Sequence, residues 1–167
     1  MIRTLIYAII FCFSVSAVPA QVVAITKNDI NQMKGDWKGS LTYLDYSTKK
    51  PYTMPADLTI SYLEKTNAIV FLNTYPNEPK ANSADTVILS KDGGMIDKET
   101  VRSRSATDNG GTVIITEISG VDGNDNRPAL IRHTYTLGKN VFIKRKDVRF
   151  EGDLEWINRH QYSYTKK

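Results

Sequence analysis

Two segments of the chain carry the same series of potentially reactive side chains. Arg132-His133-Thr134-Tyr135 and Arg159-His160-Gln161-Tyr162 both follow the pattern Arg-His-x-Tyr, and they contain the only two histidines of the sequence. Because histidine titrates near neutral pH and its neutral ring ligates metals, the pattern could serve proton transfer or iron or metal binding. The structural alternative is that these amphipathic side chains lie at the rim of two strands.

Other catalytic and metal-binding motifs are missing. The sequence has no Gly-x-Ser-x-Gly motif, which marks the nucleophile of many hydrolases. The segment 122–126 is rich in Asp and Asn but lacks the Gly and Glu that complete a calcium-binding loop, so it is typical of a polar hairpin tip. No compact carboxylate cluster accompanies either histidine, as a zinc site would require. We therefore expect a protein without enzymatic activity, and no metal or cofactor.

The first twenty residues have the features of an export signal. Arg3 is followed by an apolar run at 5–13 and by small residues that end at Ala20, which predicts cleavage after Ala20. The run is shorter than the roughly 20 residues that span a bilayer, so no transmembrane segment is expected once the signal is removed. A buried N-terminal element or an uncleaved membrane anchor are the alternatives. The sequence thus predicts a periplasmic or secreted protein.

Export would leave a chain without thiols and with little net charge. The single cysteine, Cys12, lies in the signal, so cleavage would exclude disulfides and thiol catalysis. Of 22 basic and 18 acidic side chains, only Arg3 lies in the signal, which leaves 21 basic against 18 acidic and a net charge of +3. These charges are spread along the chain rather than grouped in a basic arm. Nucleic acid is therefore not expected as a partner.

The remaining sequence predicts one short helix followed by strands. Thr26 and Asp29 have the spacing of a helix-capping pair, and Gly35 ends the helix after one or two turns. From there on, runs rich in Val, Ile, Thr, Tyr and Phe alternate with turn residues. The predicted strands cover 37–46, 56–63, 68–75, 85–90, 95–105, 112–119, 129–137 and 141–146, with one or two more in 148–164.

Nine or ten strands joined by short turns indicate an all-β fold. No segment could form the helix of a parallel crossover, so the strands pair as antiparallel hairpins. A long meander hides its edges by closing on itself, which favours an up-and-down barrel over a two-sheet β-sandwich. We find no linker or repeat and expect a single domain at 21–167.

The segment Gly35-Asp36-Trp37-Lys38-Gly39, directly after the helix, resembles the Gly-x-Trp signature of lipocalins and related calycin barrels. Together with the export signal, Lys146-Asp147-Val148-Arg149 and the terminal Arg159-x-x-Tyr162, it resembles uncharacterised lipocalin-like proteins exported by Bacteroidetes-type bacteria. The Thr-Asp-Tyr turn and the disulfide of many lipocalins are missing. The resemblance implies that Gly35 and Trp37 form the barrel floor, with Arg159 packed across the indole ring.

Side chains that alternate along a barrel strand point inward and could face a ligand. The candidates share aromatic or imidazole rings: Tyr43, Tyr62, Phe71, His133, Tyr135, His160 and Tyr162. Our first hypothesis is a binding protein for a small hydrophobic or amphipathic ligand. The second is an interaction module with a filled barrel and an unknown protein partner. The third is a haem- or metal-binding barrel that uses His133 and His160, since the related barrels include haem binders with a single histidine ligand.

Overall fold

The computed structural model describes residues 23–45, 48 and 50–167. The expected export signal falls at residues outside this part of the chain. Within the described residues, no helix is long and apolar enough to cross a membrane.

The described part of the chain forms one α-helix and eleven antiparallel strands, which confirms the predicted all-β class. Helix α1 spans Lys27–Met33, and two single 3₁₀ turns cover Glu64–Thr66 and Pro79–Ala81. The strands are β1 (Gly35–Asp45), β2 (Lys50–Pro55), β3 (Asp57–Leu63), β4 (Ala68–Thr74), β5 (Ser83–Ile88), β6 (Met95–Ile96), β7 (Glu99–Ala106), β8 (Thr112–Asp122), β9 (Arg127–Leu137), β10 (Val141–Phe150) and β11 (Ile157–Lys166).

The strands form a nearly closed barrel. Their order in the sheet is β5-β4-β3-β1-β11-β10-β9-β8-β7-β6, and β2 pairs with β1 outside this path. The two ends of the sheet meet where Leu89, just after β5, forms a bridge with Ile96 of β6. Beside it, the Asp97 N–H donates to the carbonyl of Ile88 at 2.7 Å. Because β6 is only two residues long, most of β5 has a sheet partner on one side only.

Two strand boundaries differ from the sequence prediction and raise the strand count to eleven. The segment after the first strand was expected to be a turn, but β2 pairs with β1 over six residues, from Ser40 with Pro55 to Asp45 with Lys50. Its prolines are tolerated because β2 pairs with one neighbour only. The predicted strand at 95–105 is divided between β6 and β7, since Asp97 has a φ of +49° and reverses the chain.

Helix α1 is capped as predicted and is tied to the barrel. The Thr26 side chain accepts from the Asp29 N–H at 3.3 Å, and the Asp29 carboxylate accepts from the Thr26 N–H at 2.8 Å. Ile30 and Met33 are buried in the main core. The fully buried Asp29 also accepts two hydrogen bonds from Arg104 of β7, at 2.8 and 2.9 Å. The helix therefore packs against one end of the barrel and is held there by polar contacts. We call it the helical plug.

Trp37, which the resemblance assigned to the barrel floor, lies fully buried in the main core beside helix α1. Its indole N–H donates to the Met33 carbonyl at 2.8 Å. The expectation that Arg159 packs across it is wrong: the cation over the ring is Lys166, whose Nζ lies 4.2 Å from the ring centroid. The register explains the exchange, since β11 places Lys166 opposite Trp37 and Arg159 seven residues away along the strand.

Candidate functional site

Three neighbouring strands, β9, β10 and β11, present matched rows of side chains to the barrel interior. Nearest the floor, Phe142 pairs across the strands with Leu137 and Tyr164. The next row places Lys144 between Tyr135 and Tyr162. The third row places Lys146 between His133 and His160. The two Arg-His-x-Tyr segments thus lie on either side of β10, and two lysines separate their rings.

These rows line a cavity of about 380 Å³ inside the barrel. Its apolar surface comes from Leu58, Phe71, Val87 and Phe142, and its polar surface comes from the lysine, histidine and tyrosine rows and from Asn73 and Asp85. Asp85 of β5 is exposed to solvent. The cavity is therefore accessible beside β5, where the sheet has no complete neighbouring strand.

His133, which lines the cavity, belongs to a hydrogen-bonded network with Glu99 and Thr116. Its Nδ1 lies 2.9 Å and 3.0 Å from the two carboxylate oxygens of Glu99. The fully buried Thr116 hydroxyl donates to the same carboxylate. Burial raises the pKa of Glu99, but the hydrogen bonds and charge of His133 and the Thr116 hydroxyl outweigh this, and the net effect lowers its pKa. The carboxylate is therefore held ionised beside the imidazole.

Lys146 and Arg159 converge on one carboxylate. Lys146 Nζ lies 2.7 Å from Asp122 Oδ1, and Arg159 Nε lies 2.7 Å from Asp122 Oδ2. Asp122 is the last residue of β8, and a register shift in the β10–β11 pairing after Lys146 accompanies this arrangement. Arg159, which was expected beside Trp37 at the floor, instead forms an ion pair with Asp122 at the end of β8. The positive charge of Lys146 is largely neutralised by this pair.

His160 lines the cavity with its ring against Tyr162, the two ring centroids being 5.5 Å apart. Burial lowers its pKa to about 4, and the charges of Lys146, His133 and Lys144 act in the same direction. At neutral pH the imidazole is therefore uncharged. A neutral imidazole can accept or donate a hydrogen bond to a bound molecule.

Among the described residues, no carboxylate lies in contact with Lys144, the second lysine of the cavity. Its Nζ lies 5.4 Å from the ring centroid of Phe71 and 5.9 Å from that of Tyr135. Burial lowers its pKa, and the more distant charges of Glu99 and Asp85 oppose this shift only in part. The amine thus lies among rings, in surroundings that favour its neutral form.

The two tyrosines beside Lys144 differ in their surroundings. The Tyr162 hydroxyl is 2.9 Å from that of Tyr75, which connects β11 to the end of β4. Burial raises the pKa of Tyr162 and, more strongly, that of the fully enclosed Tyr135. Both phenols therefore stay protonated and provide hydrogen-bonding groups rather than charges.

The structure groups most, but not all, of the residues predicted to face a ligand. Phe71, His133, His160 and Tyr162 line the cavity, and Tyr135 is buried beside Lys144. Tyr43 instead packs on a second core cluster of Met54, Ala56 and Tyr75. Tyr62 packs against the main core and donates to Asn67 Oδ1 at 2.6 Å.

Sequence reasoning missed the charged groups of the cavity, namely Lys144, Lys146 and Asp85, and the Glu99 carboxylate beside His133. The alternation Phe142-x-Lys144-x-Lys146 contains the signal for the two lysines, because every second residue of a barrel strand points inward. The described residues contain no group of three or more His, Cys, Asp or Glu side chains that could hold a metal ion.

The comparisons with known proteins give the fold. No protein-family model matches the chain, and no curated protein matches it. Among solved structures, the fold is similar to that of Rv2717c from M. tuberculosis, with a TM-score of 0.55 and 10% identity over 87% of this chain and 99% of that chain. A DUF3598-family protein of unknown function from Nostoc punctiforme superposes with a TM-score of 0.48 and 10% identity, over 87% of this chain and 50% of that chain. At this identity, the similarity to Rv2717c supports the nearly closed antiparallel barrel and nothing finer.

Proposed function

We propose that this protein binds a small hydrophobic or amphipathic molecule inside its barrel. The observation that supports the proposal is the interior cavity of about 380 Å³. Its volume falls within the roughly 300–1,000 Å³ of known small-molecule sites. In such sites an apolar wall supplies affinity, while a few polar groups set the orientation of the ligand.

The two sides of the cavity suit an amphipathic molecule. Phe71 and Phe142 would contact its apolar part, while Lys144 and His160 would meet its polar group.

The proposal includes the assignment to lipocalin-like barrels, with Trp37 at the floor. It also includes export, with binding rather than catalysis as the activity. Edman or mass-spectrometric analysis of protein from its host tests the export step, since cleavage after Ala20 would leave Gln21 as the first residue.

Ligand binding can be tested with a pair of substitutions on β5. Val87 lines the cavity, whereas its neighbour Thr86 is exposed and outside the cavity lining. The Val87→Trp variant should fill the cavity, and Thr86→Trp is the matched control. The assays are native mass spectrometry of protein purified from its own host and fluorescence titration with 1-anilinonaphthalene-8-sulfonate.

We expect a retained small molecule or a saturable fluorescence increase in the wild type and in Thr86→Trp. The Val87→Trp variant should lose at least about tenfold in affinity, because filling the site removes the apolar contact area. Equal binding by the two variants would place the ligand elsewhere. No binding by the wild type in either assay would favour the filled-barrel interaction module instead.

A further inference from the structure

We propose that Lys144 is a site of covalent imine formation with a carbonyl compound, an aldehyde or ketone, held in the cavity. The inference rests on the proposed function, because the carbonyl ligand must first occupy the barrel interior. It goes beyond that function by assigning the ligand class and a chemical bond to one residue.

The first argument is the position of the amine. Lys144 lies in the middle row of the inner face, between Tyr135 and Tyr162, and lines the cavity. Its Nζ has aromatic rings within 6 Å, at 5.4 Å for Phe71 and 5.9 Å for Tyr135. Within the described residues, this amine forms neither a hydrogen bond nor an ion pair at contact distance. It is therefore available to a molecule in the cavity.

The second argument is the contrast with Lys146, two residues along the same strand face. That amine lies 2.7 Å from Asp122 Oδ1 and is held as an ammonium ion by the carboxylate. A protonated amine has no lone pair for attack on a carbonyl carbon. The same cavity therefore contains one lysine equipped for nucleophilic attack and one that is not.

The third argument concerns the charged groups that face Lys144. Glu99 from β7 and Asp85 from β5 favour its protonation, while burial opposes it. Burial is the largest of these influences, and the pKa of Lys144 is lowered. Desolvated lysines of this kind serve as Schiff-base nucleophiles in other proteins. Each unit by which the pKa falls raises the neutral fraction at pH 7 about tenfold.

The reaction is balanced without any further reagent. The lone pair of the neutral amine forms a C–N bond to the carbonyl carbon, and the carbonyl oxygen takes up a proton to give a carbinolamine. Loss of the nitrogen proton and departure of the hydroxyl group as water then leave the imine C=N bond. One water molecule is released, and nothing is oxidised or reduced. The neutral imidazole of His160 in the same cavity can transfer the protons.

The experiment compares reductive trapping at the two lysines in the full protein. Wild-type protein is incubated at pH 7 with substoichiometric benzaldehyde and sodium cyanoborohydride, which reduces an imine to a stable benzylamine. Peptide mapping by mass spectrometry then gives the rate of benzylation at each lysine. We expect Lys144 to react at least about tenfold faster than Lys146 and than the exposed lysines, because burial lowers its pKa and raises the neutral fraction of the amine at pH 7. Equal rates, or no benzylation of Lys144, would overturn the inference.

A Lys144→Met variant should lose the fast benzylation. Binding of 1-anilinonaphthalene-8-sulfonate by the wild-type protein, which requires no covalent bond, tests the proposed function separately. If wild-type protein binds the dye but shows no preferential trapping, imine formation is refuted and the binding function stands. A benzoate titration distinguishes charge recognition: if Lys144 binds benzoate but is not benzylated by the aldehyde, it acts as an ion-pair partner and the covalent inference fails.

Discussion

The ion pair between Asp29 and Arg104 is expected to be the main polar link between the helical plug and the barrel, and it can be removed by one substitution. The Asp29 side chain is fully buried and accepts hydrogen bonds from Arg104 and from both donors of Thr26, at 2.7–2.9 Å. Asp29→Asn keeps the size of the side chain. It removes the charge and places an amide N–H₂ group beside the donors of Thr26 and Arg104, some of which then lack an acceptor.

The expected cost follows from burial. Breaking a buried ion pair by removing one partner costs about 3–5 kcal/mol. The Arg104 side chain is 29% exposed and can regain part of its hydration, so we expect the lower limit, about 3 kcal/mol. For a domain of this size about 1 kcal/mol corresponds to 2–4 °C, which predicts a fall in Tm of about 6–12 °C.

The assay is urea and thermal unfolding of the wild type and two variants. Asp153→Asn is the matched control, since Asp153 lies 3.9 Å from Arg127 with both side chains about half exposed, at 47% and 46%. Such surface pairs contribute at most about 1 kcal/mol. The double variant Asp29→Asn/Arg104→Gln should recover part of the loss, because it no longer leaves a buried group unpaired.

The pH dependence gives a further check. Burial raises the pKa of Asp29, but the hydrogen bonds from Arg104 and Thr26 outweigh it and lower the pKa below 3.8. The pair therefore stabilises the fold above pH 3.8 and loses its effect as the pH falls through the lower value of the folded state. A loss under about 1 kcal/mol at pH 7, or additive effects in the double variant, would refute this account of the plug.

Three further predictions concern the cavity, the sheet and the floor. His160 should titrate with a midpoint near 4 in NMR spectra. Because this pKa lies below its ordinary value of 6.5, the contribution of His160 to stability should fall as the pH drops from 6.5 to 4. A midpoint near 6.5 would contradict the burial of the ring. Gly39→Ala should destabilise the protein by about 1–3 kcal/mol in urea unfolding, since the added Cβ would clash with the backbone oxygen of Ser163 in β11. Gly138→Ala should be nearly neutral, because its Cβ would lie 3.8 Å from the nearest atom. Lys166→Met should lower stability by roughly 0.5–1 kcal/mol and alter the fluorescence of Trp37, because the cation over the indole ring is lost; an unchanged spectrum would argue against that contact.

Local sequence signals predicted the helix and most strand faces. The capping pair of Thr26 and Asp29 acts over three residues, so its geometry depends little on the rest of the chain. Strand alternation likewise puts Leu58 and Ile60 on the same face as Tyr62, and both are buried. In the third predicted strand, 68–75, both faces are apolar, so alternation alone does not choose the inner face. The structure buries Phe71 and exposes Leu72, and register with β3 makes this choice.

The contacts across the barrel could not be read from single segments. Arg159 was expected at the floor because it lies on the last strand, yet the position along that strand depends on the register of β1 with β11. Lys144 and Lys146 lie two residues apart on the same face of β10. Only one of them has a carboxylate in contact, because Asp122 reaches Lys146 from the end of β8.

By itself, the sequence determined the all-β class, the short capped helix, the buried Trp37 and the inward position of most of the candidate rings. These properties follow from local propensity and from the two-residue period of strands. Tertiary structure alone decided that the two Arg-His-x-Tyr segments lie on either side of β10, and that a cavity remains between them and Phe71. Pairing between strands far apart in the chain sets these positions. The charge state of each cavity group then follows from burial and from neighbours that no single segment contains.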